Sequence, residues 1–443
     1  MPVPTSSHTP TFNLKAVLLE TGLKPDTLRA WERRYGMPRP ERTGGGHRLY
    51  SQHDVDALKW LIARQREGMS ISRAVELWRR LEAEGQDPLH VATSAMAAST
   101  PMPLAGGEAI SELRQVWVSA CLGFDEQTAE HTLAHAFALY PAETVCFEVL
   151  QKGLSHIGEA WYQGQVTVQQ EHFASALAMR RLDALLAAAP PPTQAGRILV
   201  VCPPEERHTF APLLLTFLLR RRGWEVIYLG ANVPVDRLET ALSSVKPDLV
   251  ILTAQLLHTA ATLLSMAQVL QREHVPSAFG GRVFNLLPAL RARIPGQFLG
   301  ERLETAPQVV EQLMTTPQPP PHPVETPSAA YRQALDHYLE RQSLIEAQVR
   351  KVMQHANVPH AHLSIANLNM AHNIAAALEL GDTEFLGKNI AWVEGLLRNN
   401  DISTDVLRRY LSAYYQASKA HLDGRGKPIV DWLARLTREG ETG

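Results

Sequence analysis

Apolar residues recur at helical spacing over most of the chain, and one stretch interleaves that spacing with short β-rich runs. The mixed stretch is Gly196–Met314. It predicts strands at Ile198–Val201, Val226–Leu229, Leu249–Thr253, Ala278–Phe279 and Gln297–Leu299, with helices at Phe210–Arg222, Val235–Ser244, Ala260–Arg272 and Ala306–Met314. Strands alternating with helices predict a doubly wound five-stranded parallel sheet, which takes ligands at the carboxyl ends of its strands. Ala109–Ala188 is helical throughout and predicts a four-helix bundle. In Ser328–Gly443 the periodicity predicts Tyr331–His355, Ile365–Leu380, Thr383–Arg398, Val406–Leu422 and Ile429–Arg438 as helices, with Gly381-Asp382 as a break. Near the start, Lys15–Glu20, Thr27–Tyr35 and Val55–Glu84 read as helices.

Three breaker-rich stretches separate these blocks: Asp87–Gly107, Ala189–Gln194 and the proline-rich Thr315–Pro327. The expected fold class is a multidomain α and α/β chain. It comprises a winged helix-turn-helix (12–84), a helical bundle (109–188), a Rossmann-like sheet (196–314) and a C-terminal all-helical domain (328–443).

Composition narrows the class. The chain has 443 residues, 45% of them hydrophobic and 20% charged, an ordinary globular mixture. Cys121, Cys146 and Cys202 are the only cysteines, too few and too far apart for a disulfide framework or a zinc site, which fits a reducing cytoplasm. No apolar run reaches membrane-spanning length, and Met1–Thr11 is polar, which argues against a secretory signal. Secreted, membrane-bound and collagen-like readings are disfavoured.

The net charge is −2, so nucleic-acid binding needs a local basic region. Phe12–Ala63 supplies one, with nine Lys or Arg against six acids. The excess sits in Thr27–Tyr35, which carries Arg29, Arg33 and Arg34, and in Arg39–Tyr50, where Gly44-Gly45-Gly46 reads as the bend of a wing. Arginines on one helix alone could be a solvated face; helix, turn, helix and basic wing in this order predict a DNA reader. The runs Leu28–Gly36 and Arg42–Tyr50 resemble the MerR family of winged-helix regulators. The resemblance implies a homo-oligomer, a dimer or tetramer, on a pseudo-palindromic double-stranded DNA operator. It implies that Thr27 and Arg29 face the groove while Arg33, Arg34, Arg42, Arg48 and Tyr50 grip the backbone. Trp31 reads as core.

The loop after the first strand of the sheet holds His208 two residues after Glu206. An acid so placed can hold one ring N–H while the other nitrogen meets a metal. Taken alone, a loop histidine without any ligand is the simpler reading. Gly230 and Gly280-Gly281 follow later strands and permit close backbone approach. The sheet resembles the cobalamin-binding domain of methionine synthase and adenosylcobalamin mutases, whose pattern is Asp-x-His-x-x-Gly, Ser-x-Leu and Gly-Gly. Here Glu206 replaces Asp, Ala211 stands at the usual Gly, and Thr253–Leu256 lacks the serine. In the helical block, Trp161, nine further residues and Glu171-His172 resemble the cap of light-dependent cobalamin-binding MerR-type regulators. The resemblance implies that Trp161 covers an adenosyl group, that Glu171 and His172 lie close to it, and that His208 is the lower cobalt ligand, with Glu206, Gly230, Gly280 and Gly281 in the cofactor site. In the best-known light repressors a histidine follows the tryptophan; here Tyr162 does, so His172 or water becomes the candidate upper ligand.

The C-terminal block carries His337, His355, His360, His362, His372 and His421. It reads either as a dimerisation bundle or as a second chromophore domain. The stretch from Gly381 through Trp392, Leu396 and Leu407 resembles photocobilins, which implies biliverdin; all three cysteines lie before residue 203, so it would be held without a thioether. The whole is expected to be a non-enzymatic transcriptional regulator that senses light through adenosylcobalamin, with photolysis changing its oligomeric state. The alternatives are a light-independent corrinoid or redox sensor, and a regulator with an added bilin.

Overall fold

The computed structural model describes residues 10–42, 48–66, 71–83, 107–316, 324–354, 360–399 and 403–439. They fall into two compact units, 1–153 and 154–443.

The first unit opens with the winged helix. Strand β1 (Pro10–Asn13) leads into α1 (Leu14–Thr21), which Asn13 caps by accepting from the Ala16 N–H at 2.9 Å. Helix α2 (Pro25–Tyr35) starts on a proline and ends at Gly36, whose positive φ closes the last turn. Strands β2 (Glu41–Arg42) and β3 (Arg48–Ser51) pair antiparallel as the wing, in the sheet order β1-β3-β2. The glycines at the wing's bend lie outside the described residues, as does the side chain of Arg42.

The single helix expected over Val55–Glu84 comes instead as α3 (Gln52–Arg66) and α4 (Ile71–Ala83). Folding back brings Trp78 edge-on to Trp60, with ring centroids 5.2 Å apart. Both rings are buried with Val17, Leu28, Trp31 and Leu58; a straight helix would leave Trp78 in water.

Four helical segments follow, as the periodicity predicts: α5 (Gly107–Leu122), α6 (Glu126–Leu139), a third spanning 142–162 and α9 (Val168–Ala187). The third comprises α7 (Ala142–Val145), a π-helical turn (Cys146–Gln151) and α8 (Lys152–Tyr162). A capping box between Thr167 and Gln170 starts α9.

In the second unit, β4 (Arg197–Val201), β5 (Glu225–Tyr228), β6 (Leu249–Thr253), β7 (Ser277–Gly280) and β8 (Gln297–Phe298) form one parallel sheet in the order β5-β4-β6-β7-β8. Alternation along β4 sends Ile198 and Val200 into the core under α10 (Phe210–Arg221) and α14 (Ala306–Thr315), and Leu199 and Val201 into the core under α12 (Leu257–Arg272). Two shorter helices, α11 (Leu238–Val245) and α13 (Arg282–Leu286), complete it.

The C-terminal segment is all-helical, as expected: α15 (Ala329–Met353), α16 (His360–Leu380), α17 (Leu386–Asn399), α18 (Asp405–His421) and α19 (Lys427–Glu439). The spacer before it does not part it from the sheet. Helix α16 lies along α12, and both belong to one continuous apolar cluster. The physical reason is α12 itself, ten of whose sixteen residues are buried, so that its apolar face is too wide for the sheet alone to cover. Ser265 on α12 donates to Glu379 on α16 at 3.1 Å, and burial pushes the Glu379 carboxyl above its usual range.

The histidines of this segment serve separate ends. His337 is buried and accepts from the Asp423 N–H at 3.1 Å, His421 meets Gln348, and His372 meets Glu205. His355 and the side chain of His360 lie outside the described residues.

The hydroxyls of Tyr338 and Tyr414 meet at 2.6 Å in the core of this segment. Tyr338→Phe leaves the Tyr414 hydroxyl buried without its partner and should cost about 1–3 kcal/mol, whereas Phe at both positions should cost less. Urea unfolding of the two variants checks this.

Candidate functional sites

The candidate DNA-facing surface is helix α2 and the wing. Arg29, Arg33 and Arg34 are exposed on α2, and Thr27 is half-buried on its first turn. Arg29 has only the loose company of Asp26, at 3.8 Å and almost fully exposed. Three guanidinium groups on one exposed helix can meet phosphates. Glu32 faces the other way and ties the wing to the helix. Its Oε2 accepts from Arg48 Nε at 2.9 Å and its Oε1 accepts from the Tyr50 hydroxyl at 2.6 Å. This corrects the expectation for Tyr50, whose side chain is fully buried and cannot grip a DNA backbone. Its hydroxyl belongs to Glu32, and burial pushes its pKa far up. Arg48 is partly engaged by the same carboxylate. Trp31 is core, as its sequence context suggests.

The second site lies at the carboxyl edge of the parallel sheet. The loop after β4 turns Glu206 inward, where it is 0% exposed. A buried carboxylate must be fully hydrogen-bonded to stay charged. Glu206 is: Oε1 accepts from the His208 backbone N–H at 2.9 Å and contacts His208 Nδ1 at 2.7 Å. Oε2 accepts from the Gln255 N–H and the Thr259 hydroxyl, each at 2.7 Å. Burial opposes ionisation, but the bonds from His208, Thr259 and Gln255 outweigh it and hold the carboxyl below its usual range. An ionised Glu206 makes Nδ1 the N–H of His208, so Nε2 carries the lone pair. The ring is 60% exposed, and the same hydrogen bond raises its pKa. That is one metal-ligating nitrogen, oriented and made basic from behind.

The other predicted residues lie at neighbouring strand ends and on α8 and α9. Gly280 ends β7, and Gly281 follows with φ +125°. A Cβ on Gly281 would run into the backbone of Ala254, so the glycine serves the approach of two loops rather than of a ligand. Gln255 completes that join by accepting from the Arg282 N–H at 3.0 Å. A chain of contacts thus runs from the β7 loop through Gln255 and Glu206 to His208. Gly230, after β5, has φ +83° and accepts from the Cys202 N–H; a side chain there would meet open space.

Glu171, on α9, is close enough for its charge to raise the pKa of His208, while Arg282 lowers it. Glu171 is held by Ser175 and by His172 Nδ1 at 2.6 Å. His172 is 75% exposed and spends that nitrogen on its neighbour. Trp161 packs against Trp392 of the C-terminal segment, with centroids 6.1 Å apart. The sequence reading missed Gln255 and Thr259. It looked for a hydroxyl in Thr253–Leu256, whereas the hydroxyl comes from the first turn of α12.

The donor set suits a flat apolar macrocycle carrying one metal. Leu229, Leu256 and Leu286, all exposed, follow β5, β6 and β7 at the same edge as His208. Among the described residues, no group of three or more His, Cys, Asp or Glu is arranged to hold a metal ion by itself. The three cysteines are buried, and burial pushes the Cys121 and Cys202 thiols up to about 12.

A winged helix on the same chain as a parallel sheet with one oriented histidine points to a class, the transcription regulators that carry a B12-type binding domain. Models of known families agree. Residues 12–81 match the MerR HTH family regulatory protein, and residues 113–186 and 196–310 match two B12 binding domains. The chain is 33% identical over 266 residues to the HTH-type transcriptional repressor CarH of Myxococcus xanthus, covering 59% of this chain and 86% of that one. It is 33% identical to CarA of the same organism, covering 55% and 76%. A monomethylamine corrinoid protein of Methanosarcina barkeri is 19% identical, covering 47% of this chain and all of that one, with a TM-score of 0.40. The chain belongs to the CarH and CarA family of MerR-type regulators with B12-binding domains. About 41% of the chain lies outside the CarH alignment.

Gly281→Ala forces a side chain into Ala254 and an L-residue into a strained φ. It should destabilise the second unit by about 1–3 kcal/mol. Thermal unfolding of the purified variant measures the loss.

Proposed function

We propose that this regulator binds a double-stranded DNA operator through α2 and the wing, and holds adenosylcobalamin as a light sensor at the carboxyl edge of its sheet. We further infer that it acts in the cytoplasm as a homo-oligomer, dimer or tetramer, and has no enzymatic reaction of its own. The observation that carries the reading is His208. It stands half in solvent with Nε2 outward, backed by a buried and fully bonded Glu206.

When bound, adenosylcobalamin supplies a cobalt–carbon bond that visible light breaks. His208 would hold the cofactor's cobalt through Nε2. Glu206 fixes the tautomer and ring plane of His208 and keeps it basic. Leu229, Leu256 and Leu286 give the macrocycle an apolar seat, and Trp161 with Glu171 and His172 covers the opposite side. Trp161 would lose a contact if the adenosyl group left, and that loss would bias the chain between two states of assembly. Such a shift needs a contact that differs between the states, and the adenosyl group is that contact.

A second reading is a light-independent corrinoid or redox sensor. One observation favours it. Tyr162, in the place of the usual histidine, is stacked on Trp392 at 5.7 Å, away from any role as a cobalt ligand. A bilin in the C-terminal helices is a further alternative. Added biliverdin giving no long-wavelength absorbance would remove it.

The test is the visible spectrum of protein purified after adding adenosylcobalamin in the dark, taken before and after green light. A retained corrinoid band that light changes is expected. A retained band blind to light would favour the second reading, and no retained band would overturn both. Glu206→Gln should weaken retention by roughly 10–100-fold, the usual effect of losing an outer-shell partner of a metal ligand. In His208→Ala an unaltered spectrum and affinity would remove His208 as the ligand.

A further inference from the structure

Trp161 and Tyr162 end α8, and α17 meets them with one face. Trp392, Gly395 and Asn399 stand three and four residues apart on that helix, so they share a single stripe. The Trp392 ring stacks on Tyr162 at 25° between planes, and tilts over Trp161 at 35°. Gly395 carries no Cβ where one would run into the Tyr162 hydroxyl. A glycine inside a helix costs about 1 kcal/mol relative to alanine, so its presence marks a close approach rather than helix-forming preference. Asn399 Nδ2 donates to the Tyr162 carbonyl at 3.2 Å, and a carbonyl in the last turn of a helix has no partner within that helix. Ring stacking, a close approach at glycine and a capped carbonyl all join the same two helix ends.

The rest of the C-terminal segment is anchored on the sheet. Helix α16 holds α12 through Ser265 and Glu379, and His372 Nδ1 lies 3.4 Å from Glu205, three residues from His208 in the same loop. The segment therefore touches both sides of the cofactor site: the helix that bears Trp161, and the loop that bears His208.

We propose that Trp392 is a positioning residue for Trp161. The C-terminal segment, fixed to the sheet, sets the plane and height of the aromatic that covers the cofactor, and Tyr162 is its handle. The site is then built from three segments, not only from the two that match B12-binding domains. This inference rests on the corrinoid reading above.

The experiment uses the full chain and adenosylcobalamin in the dark, with two readouts: the rate of corrinoid release, and amide hydrogen exchange over 156–166 in the ligand-free protein. Trp392→Ala should release the corrinoid roughly three- to tenfold faster, the range an aromatic pair contributes, and should exchange faster at the end of α8. Trp392→Phe should recover most of both. Gly395→Ala leaves Trp392 in place but displaces the Tyr162 ring. It should produce the same two effects, and Tyr162→Phe in that background should relieve them by removing the clashing hydroxyl. The Gly395 pair also serves if Trp392→Ala does not fold. Wild-type release rates in Trp392→Ala and Gly395→Ala would overturn the proposal. So would unchanged exchange at 156–166. If the wild-type chain itself retains no adenosylcobalamin, the corrinoid reading falls, and exchange alone decides whether Trp392 holds this helix.

Discussion

One buried carboxylate organises the ligand edge of the sheet. Glu206 has no solvent to share its charge with, so each of its lone pairs must find a donor from the protein. It finds them on three pieces of chain: its own loop at His208, the β6 loop at Gln255, and the first turn of α12 at Thr259. The requirement works in both directions. The donors keep the carboxylate ionised, and the ionised carboxylate fixes where those loops sit and which nitrogen of His208 faces out. Loss of any one donor would leave charge exposed to a low-dielectric interior, so the loops are held together more firmly than their few apolar contacts would hold them.

Much of this was legible in the chain because the signals are local. Strand and helix spacing gave the parallel sheet, an acid two residues before a histidine gave the held imidazole, and a basic helix with a glycine bend gave the DNA head. What failed to show was what depends on distant partners. Thr253–Leu256 without its serine looked like a weakened site, yet its Gln255 backbone and the nearby Thr259 supply the same carboxylate. The family resemblance implied a DNA contact at Tyr50, but a single acid, Glu32, draws its hydroxyl inward. Tyr162 and Trp392 are far apart in sequence, and nothing in either neighbourhood names the other. The one hint was Gly395 inside an otherwise good helix.

The two functional surfaces follow opposite rules. The candidate DNA face keeps Arg29, Arg33 and Arg34 exposed on α2, with Arg29 only loosely paired to Asp26, as phosphate exchange would require. The cofactor edge keeps its polar groups tightly paired and presents one nitrogen among exposed leucines. A regulator needs both, a surface that lets go readily and a site that holds a ligand in one orientation.

Helix α12 shows where the chain cannot be divided. It is covered by the sheet on one side and by α16 on the other, with Leu263, Met266 and Leu270 fully enclosed. The proline-rich spacer between them looks like a border between modules. The helices on either side of it nonetheless share a single core, and a polypeptide ending there would lay the apolar face that α12 gives to α16 open to water. A chain that ended after the sheet would need polar residues where Leu263, Met266 and Leu270 stand. Polarity at these few positions would tell a sheet that stands alone from one that carries a further helical layer.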